Sequence, residues 1–543
     1  MLERKALESL YEKHCKRGFT YAYGTAGFRY KADVLDTVMF TTGVLAGLRS
    51  IYLKGQTVGV MITASHNPPE DNGVKIVDPR GEMLEQSWEK HATDLANSAS
   101  QSFTSFEQKL QELIVKLQLN SNAHGSITVA RDSRESGPRL LTAFKTGTLV
   151  LPNLLVLDHG VLTTPQLHFL TSKANELPKN TSIDEKLYYQ EFLSAWDEIA
   201  ELCGIQSLPY ALTIDAANGV GAPKVKEMLS QREMFNNTFR VVNDDWKTPS
   251  ALNHLCGADF VKTNQKLPQG ISNDTRAEHI NCSFDGDADR IVFYYCDLQG
   301  QFQLLDGDKM ATLFAKFFQE LTQTAHLQDE LALGVVQTAY ANGSSTRYLE
   351  QVLGTPVKCT PTGVKHLHHE AVKFDIGIYF EANGHGTVVF STKFSQLVDQ
   401  KLADASHSTS AHKALQILSS FSKLINQTVG DAISDMLGVL AVLSILKWSP
   451  QKWDQEYTDL PNKLIKVLVP DRTVFKTTNA ERQLVSPVGL QDQIDALVAK
   501  FDTARSFVRA SGTEDAVRVY AEAATREQAD RLASVVGELV EKY

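Results

Sequence analysis

The sequence predicts an α/β protein of several domains. Three observations carry that reading. Short apolar runs alternate with helix-length segments along most of the chain. Most of these runs are rich in Val, Ile, Leu and Phe and end in Gly, Asn or Asp, as strands buried on both faces do when they deliver loops at their carboxyl ends. The length, 543 residues, suggests about three to five domains.

The predicted strands, in order, are residues 57–63, 126–132, 153–160, 210–219, 291–297, 331–338 and 376–382. The first, TVGVMIT, runs into ASHNPPEDNGVK, where Ser65 stands just after the apolar run and just before Pro68 and Pro69, which restrict the backbone. Residues 101–126 read as a helix followed by a loose loop. The polar, aromatic, proline-bounded stretch WSPQKWDQEYTDLP (448–461) reads as a linker. Beyond it, SFVRASGTEDAVRVYAEA (506–523) is two strands around a tight turn. A final helix follows, with Ala529, Leu532, Val535, Val536 and Leu539 at helical spacing and a capping box at Thr525 and Gln528. The C-terminal unit is therefore a small α+β domain. No close internal repeat and no low-complexity segment is visible.

Composition narrows the function. Hydrophobic content of 43% and charged content of 22% are those of a soluble globular protein. A net charge of −10 argues against a nucleic-acid partner, and an anionic substrate would need a local basic pocket. Six scattered cysteines include no CxxC pair and fit a reducing compartment. The charged start has no apolar h-region, and no run reaches the roughly 18 apolar residues of a membrane span. A cytoplasmic protein without a membrane partner is expected. Neither a G-x-S-x-G elbow nor a phosphate-binding P-loop is present.

Four stretches carry chemistry. In FDGDADR (284–290), Asp285, Asp287 and Asp289 alternate directly before an apolar run. Carboxylates this close repel unless a cation lies between them, and oxygen-only ligands favour Mg²⁺, Mn²⁺ or Ca²⁺. An EF-hand fails, because Arg290 and Cys296 stand where Gly and Glu are needed. A solvated acidic turn is the plain alternative, but Arg290 beside the triad suits a phosphate shared with a metal. In EANGHGT (381–387), Glu381, Asn383 and His385 suit hydrogen bonding to sugar hydroxyls, and a plain glycine turn explains the stretch almost as well. In RASGTED (509–515), Arg509, Ser511, Gly512 and Thr513 have the composition of a phosphate cradle, with Arg518 able to point back to the same anion. Arg29 in YGTAGFRY could reach a phosphate. The histidines of KHLHHE (365–370) read as a surface face.

TASHNPPEDNGVK, DGDADR, EANGHGT and RASGTED, in this order, resemble the α-D-phosphohexomutase superfamily. The first and third, with VVQTAYANGSST (335–346) and CTPTGVKHLHHEA (359–371), are similar to its phosphoacetylglucosamine mutases. The resemblance spans residues from about 19 to 520. It implies three related α/β domains and a smaller C-terminal one around a central cleft. We set these at residues 1–180, 181–300, 301–448 and 449–543. It implies that Ser65 carries a phosphoryl group, an exposed hydroxyl at a strand end kept from bulk water. Asp285, Asp287 and Asp289 would be Mg²⁺ ligands together with the seryl phosphate, with Arg290 alongside. Arg29, Lys75, His66 and His385 would serve the transfer, and Glu381, Asn383 and His385 the sugar. Arg509, Ser511, Gly512, Thr513 and Arg518 would hold the phosphate that is not reacting. The implied substrate is a small phosphosugar, with a sugar 1,6-bisphosphate as activator. TGVK (362–365) stands where many relatives have TGH, which leaves the general base open between His385 and Lys75. A phosphoglucomutase or phosphomannomutase is the alternative, though those enzymes usually resemble GEESG or GEMSG at the sugar loop. The sequence leaves the oligomeric state open.

Overall fold

The computed structural model describes residues 3–236, 238–404, 408–511 and 516–543. Two compact units result. One holds residues 1–304 and 420–445, the other residues 305–419 and 446–543. All seven expected strands form, with ends shifted by a few residues.

In the first unit, one five-stranded sheet has the order Phe28–Lys31, Asp71–Val77, Thr57–Ile62, Gly125–Arg131, Leu154–Val161. The last three strands run parallel, and Thr57–Ile62 forms an antiparallel pair with Asp71–Val77. All six residues of Thr57–Ile62 are buried, which explains an unbroken apolar run where an amphipathic strand would alternate. The second sheet has the order Phe302–Leu305, Ile291–Cys296, His279–Phe284, Ala211–Asp215, Phe239–Val242. Again three strands are parallel, and His279–Phe284 pairs antiparallel with Ile291–Cys296. In the second unit, Val357–Thr360, Leu333–Thr338 and Ile376–Phe380 are parallel, and Ile376–Phe380 pairs antiparallel with Gly386–Phe390.

The three sheets thus share one device that no residue-level repeat announces. In each, a buried parallel strand turns into an antiparallel partner, and the turn is a candidate site loop. Ser65 lies between Ile62 and Asp71, the acidic triad between Phe284 and Ile291, and Glu381–His385 between Phe380 and Gly386. The fourth sheet, Asn462–Leu468, Ala516–Glu522 and Arg505–Ala510, is antiparallel and packs on the helix Arg526–Val540.

Three local expectations change. The stretch 448–461 is no loose linker: it carries the helix Pro450–Asp454, and Trp453 is buried with its Nε1 donating to the Lys309 carbonyl at 3.1 Å. Lys309 Nζ in turn donates to the carbonyls of Asp454 and Tyr457. The capping box at the last helix is half formed. Thr525 Oγ1 accepts the Gln528 amide, but Gln528 Oε1 is buried without a hydrogen-bond partner. The KHLHHE helix is not a surface face throughout, because Lys365 and His368 are buried with Leu367, and His368 Nδ1 lies 3.1 Å from Tyr379 Oη. The apolar helix Ala432–Leu446, which no sequence expectation covers, is buried along residues 432–443, and the Ala432 amide donates to the Ala288 carbonyl inside the acidic loop. Among the described residues, no helix is long and apolar enough to cross a membrane.

Candidate active site

Ser65 begins where the strand Thr57–Ile62 ends. Its backbone is left-handed, with φ of +51°, a conformation that costs a non-glycine residue about 1–2 kcal/mol. The side chain is wholly buried, not exposed as the sequence suggests. Its hydroxyl donates to Asp285 Oδ2 at 2.6 Å and lies 3.5 Å from Asp289 Oδ1. The reason is that the turn of one sheet is closed over by the turn of the next.

The acidic turn is built by its own backbone. Asp285 Oδ1 accepts the amides of Asp289 and Arg290, and Ala288 takes the left-handed conformation that reverses the chain. Asp285, Asp287 and Asp289 are all buried, and one oxygen from each lies within 4.8 Å of the others. Burial, then the Asp289 and Asp287 carboxylates, push Asp285 well above the usual carboxylate range. Asp287 Oδ1 is buried with no hydrogen-bond partner. Three crowded carboxylates, one oxygen of them unsatisfied, fit a hard divalent cation with oxygen ligands. Lys75 Nζ lies 3.1 Å from Asp289 Oδ2 and 3.8 Å from Asp287 Oδ2, and Arg290 Nε lies 3.8 Å from Asp289 Oδ1 and 4.0 Å from Asp285 Oδ2.

Arg29 donates from Nη1 to Asn67 Oδ1 at 3.3 Å, while its Nε is buried without a hydrogen-bond partner. Burial, with Arg290 next, lowers its pKa. A buried guanidinium with an unused donor is ready for an anion. His66 sits among the same cations. Arg290 above all, then burial, Arg29 and Lys75, lower its pKa to about 2, so the imidazole is neutral and weakly basic, and its Nδ1 has no hydrogen-bond partner.

Sequence reasoning missed the residues that tie these turns together. Thr63 Oγ1 accepts the Ser65 amide and lies 2.8 Å from Asp132 Oδ2 and 3.1 Å from Asp287 Oδ2, with one proton to give. Thr164 donates its hydroxyl to Asp287 Oδ2 at 2.5 Å. Arg134 and Asn253 reach the carbonyls behind Ser65. Gly286 has no room for a side chain: a Cβ there would lie 2.6 Å from the Ser65 carbonyl oxygen. Thr63 and Gly286 lie inside the serine and acidic stretches but offer no chemistry that singles them out, and Thr164, Arg134 and Asn253 belong to none of the motifs, so the sequence gives no signal for their roles.

In the second unit, the sugar-loop candidates form a self-braced turn. Asn383 Nδ2 donates to Glu381 Oε2 at 3.3 Å, Asn383 Oδ1 accepts the His385 amide, and Glu381 Oε1 accepts the Gly363 amide. His385 is buried, whereas Glu381 and Asn383 are half-buried. In the fourth sheet Arg509 and Arg518 are direct cross-strand partners, and Lys466 pairs with Arg518 on its other side. Lys466, Arg518 and Arg509 thus stand in one row across the sheet. Lys466 was missed because strand register is invisible in a sequence. The Ser511 amide donates to the Ala516 carbonyl, and Gly512 and Thr513 lie outside the described residues. Glu481, also missed, receives Arg509 Nε at 2.8 Å and the Thr362 amide and hydroxyl at 2.9 and 2.6 Å. It ends a run of three left-handed residues, Asn479, Ala480 and Glu481.

Domain II and domain III models of phosphoacetylglucosamine mutase AMG1 match residues 178–292 and 306–448. The alpha/beta/alpha domain I and C-terminal domain models of phosphoglucomutase/phosphomannomutase match residues 25–103 and 464–538. A phosphoacetylglucosamine mutase of Candida albicans is 55% identical over 533 residues, which cover 96% of this chain and 97% of that one. A solved N-acetylglucosamine-phosphate mutase in its substrate complex is 54% identical, with a TM-score of 0.94 over 99% of this chain and all of the other. The Aspergillus fumigatus N-acetylphosphoglucosamine mutase, solved with GlcNAc-6P and magnesium, is 45% identical, with a TM-score of 0.93 over 99% of this chain and 98% of that one. This chain belongs to the phosphoacetylglucosamine mutase family of the α-D-phosphohexomutase superfamily, and it is an isomerase.

Proposed function

We propose that this enzyme interconverts N-acetylglucosamine 6-phosphate and N-acetylglucosamine 1-phosphate through a phosphorylated Ser65 and a 1,6-bisphosphate intermediate. It would thereby supply UDP-N-acetylglucosamine synthesis in the cytoplasm. The observation that carries this reading is the buried Ser65 hydroxyl, 2.6 Å from a carboxylate of a triad that Lys75 and Arg290 flank and whose charges act on the buried Arg29. The four-domain division at 1–180, 181–300, 301–448 and 449–543 goes with it.

Two transfers follow. In the first, the bond from phosphorus to Ser65 Oγ breaks and a bond to the sugar O1 forms, while the O1 hydroxyl gives its proton to a base. In the second, the phosphoryl group on O6 of the bisphosphate moves to Ser65 Oγ, and O6 takes up a proton. A sugar 1,6-bisphosphate would prime the serine by the same chemistry. Mg²⁺ held by Asp285, Asp287 and Asp289 would supply positive charge to the moving group. Lys75, Arg290 and Arg29 would bind its remaining oxygens, since phosphoryl transfer is mainly positioning and electrostatics. His66, neutral among three cations, serves to accept or donate a hydrogen bond; Lys75 and His385 are the candidates for the base. Glu381, Asn383 and His385 would bind sugar hydroxyls, and Arg509, Ser511, Arg518, Gly512 and Thr513 the phosphate that is not reacting. The relative solved with GlcNAc-6P and magnesium supports both the substrate and the ion.

A ³¹P NMR time course tests the proposal. N-acetylglucosamine 6-phosphate, Mg²⁺ and a trace of glucose 1,6-bisphosphate should yield a 1-phosphate resonance faster than glucose 6-phosphate does in a parallel tube. Faster conversion of glucose 6-phosphate would overturn the substrate. Inorganic phosphate alone would replace the mutase with a phosphatase.

A further inference from the structure

We infer that Arg134, assisted by Asn253, is the positioning residue that holds the transfer serine in its reactive conformation; this rests on the reading of Ser65 as the phosphoryl carrier. Arg134 follows the strand Gly125–Arg131 and is 1% exposed. A guanidinium has five N–H donors, and all five are used. Nη2 donates to the carbonyls of Ser65 and Asn67, both at 2.9 Å, and Nη1 to those of Pro68 and Asp71 at 2.5 and 2.9 Å. Nε donates to Asp132 Oδ2 at 3.0 Å, whose partner Oδ1 accepts the Arg134 amide. Four of the five donors thus grip one loop, Ser65–Asp71.

Asn253 approaches from the second sheet's side of the unit. Its Nδ2 donates to the same two carbonyls, Ser65 at 3.1 Å and Asn67 at 3.2 Å. Two residues from separate segments therefore fix the carbonyls on either side of His66. Such a grip offsets the cost of the left-handed Ser65 backbone, and it sets the direction in which the hydroxyl leaves the loop. Asp132 extends it: the carboxylate that orients Arg134 also faces Thr63, which holds the Ser65 amide and reaches Asp287. The arrangement is a fork. A lysine at position 134 would keep the charge but could not serve four carbonyls spread along the loop.

The test compares wild type, Arg134→Lys, Arg134→Gln, Asn253→Ala and Ser65→Ala. Steady-state kinetics with N-acetylglucosamine 6-phosphate and intact-mass measurement of Ser65 phosphorylation by glucose 1,6-bisphosphate are the readouts. Misplacing a reacting group by about 1 Å costs on the order of 100-fold in rate. Both Arg134 variants should therefore lose about 100-fold in kcat and in the rate of Ser65 phosphorylation, with KM within about threefold of wild type, and Lys should not rescue. Asn253→Ala should lose about tenfold, since Arg134 still holds the loop. An Arg134→Lys enzyme with wild-type kcat overturns the inference. So does a variant whose folded fraction is reduced but whose phosphorylation rate per folded molecule is unchanged. If the Arg134 variants do not fold, Asn253→Ala decides, and a kcat within twofold of wild type overturns it. Activity in Ser65→Ala would instead reject the phosphoserine reading on which the inference rests.

Discussion

Gly286→Ala perturbs the proposed transfer site without touching a reacting atom. Gly286 lies between Asp285 and Asp287, and its φ is not in the left-handed region, so alanine fits the backbone. The obstacle is space. A Cβ at 286 would meet the Ser65 carbonyl oxygen at 2.6 Å, Asn253 Nδ2 at 3.0 Å and Leu252 Cδ1 at 3.1 Å, where ordinary contact begins at 3.4 Å. The carbonyl must retreat by about 0.8 Å, yet it accepts hydrogen bonds from Arg134 at 2.9 Å and Asn253 at 3.1 Å. Overpacking of this kind costs about 1–3 kcal/mol, and a strained hydrogen bond adds about 1 kcal/mol. A displacement approaching 1 Å at the serine costs on the order of 100-fold in rate. The variant should therefore fold, with a midpoint of thermal unfolding a few degrees lower, and should show kcat reduced by about 30- to 100-fold at nearly unchanged KM. The assay is initial-rate kinetics beside a melting curve of the same preparation. A kcat within threefold of wild type would refute the reasoning, because it would mean that the Ser65 loop tolerates movement that the mechanism forbids.

Other outcomes test other parts of the molecule. Asp435 is wholly buried with neither carboxylate oxygen hydrogen-bonded, and burial, with Asp431 next, pushes its pKa well above the usual range. The folded protein therefore keeps a proton that the unfolded chain releases above about pH 4, so wild-type stability falls as pH rises, by up to about 1.4 kcal/mol per unit until the folded pKa is passed. Asp435→Asn should remove that slope, and unfolding curves of the two proteins that stay parallel from pH 5 to 8 would contradict it. Mg²⁺ at 100 times its Kd should stabilise the wild type by about 2.7 kcal/mol, and Asp287→Asn should abolish the shift in a thermal melt; an undiminished shift would place the ion elsewhere. Lys75→Met removes the cation 3.1 Å from Asp289 and should lower kcat by about 10²–10³-fold, as loss of one transition-state charge partner does; wild-type kcat would exclude Lys75 from the transfer. Glu481→Gln should release Arg509 and lower KM for the phosphosugar several-fold at constant kcat. A raised KM would mean that the carboxylate orients the arginine and does not compete with substrate.

What the sequence discloses and what it hides have different physical origins. Strands buried on both faces announce themselves as apolar runs, which is why Thr57–Ile62 and Ile376–Phe380 are legible. The acidic triad is legible because carboxylates so closely spaced have few uses without a cation. Arg134 is silent because four of its five donors meet backbone carbonyls, which leave no charge pattern to read. Its partners, Ser65, Asn67, Pro68 and Asp71, are 63–69 residues away and are selected by geometry alone. Lys466 is silent for a related reason. Its alignment with Arg518 and Arg509 exists only once three strands have chosen their register.

The burial of Ser65 corrects more than one detail, because it changes what the loop has to accomplish. An exposed serine would need only a stiff turn, and Pro68 and Pro69 would suffice. A serine closed over by a second acidic turn must be held against two costs, its own left-handed backbone and the repulsion of the three carboxylates beside it. Lys75 and Arg290 oppose the second cost directly. Arg134 and Asn253 oppose the first through the backbone carbonyls of the serine loop. The division explains why the cations of the site can be found by their motifs whereas its scaffold cannot. The two groups answer to different forces, and only charge is written in the local sequence.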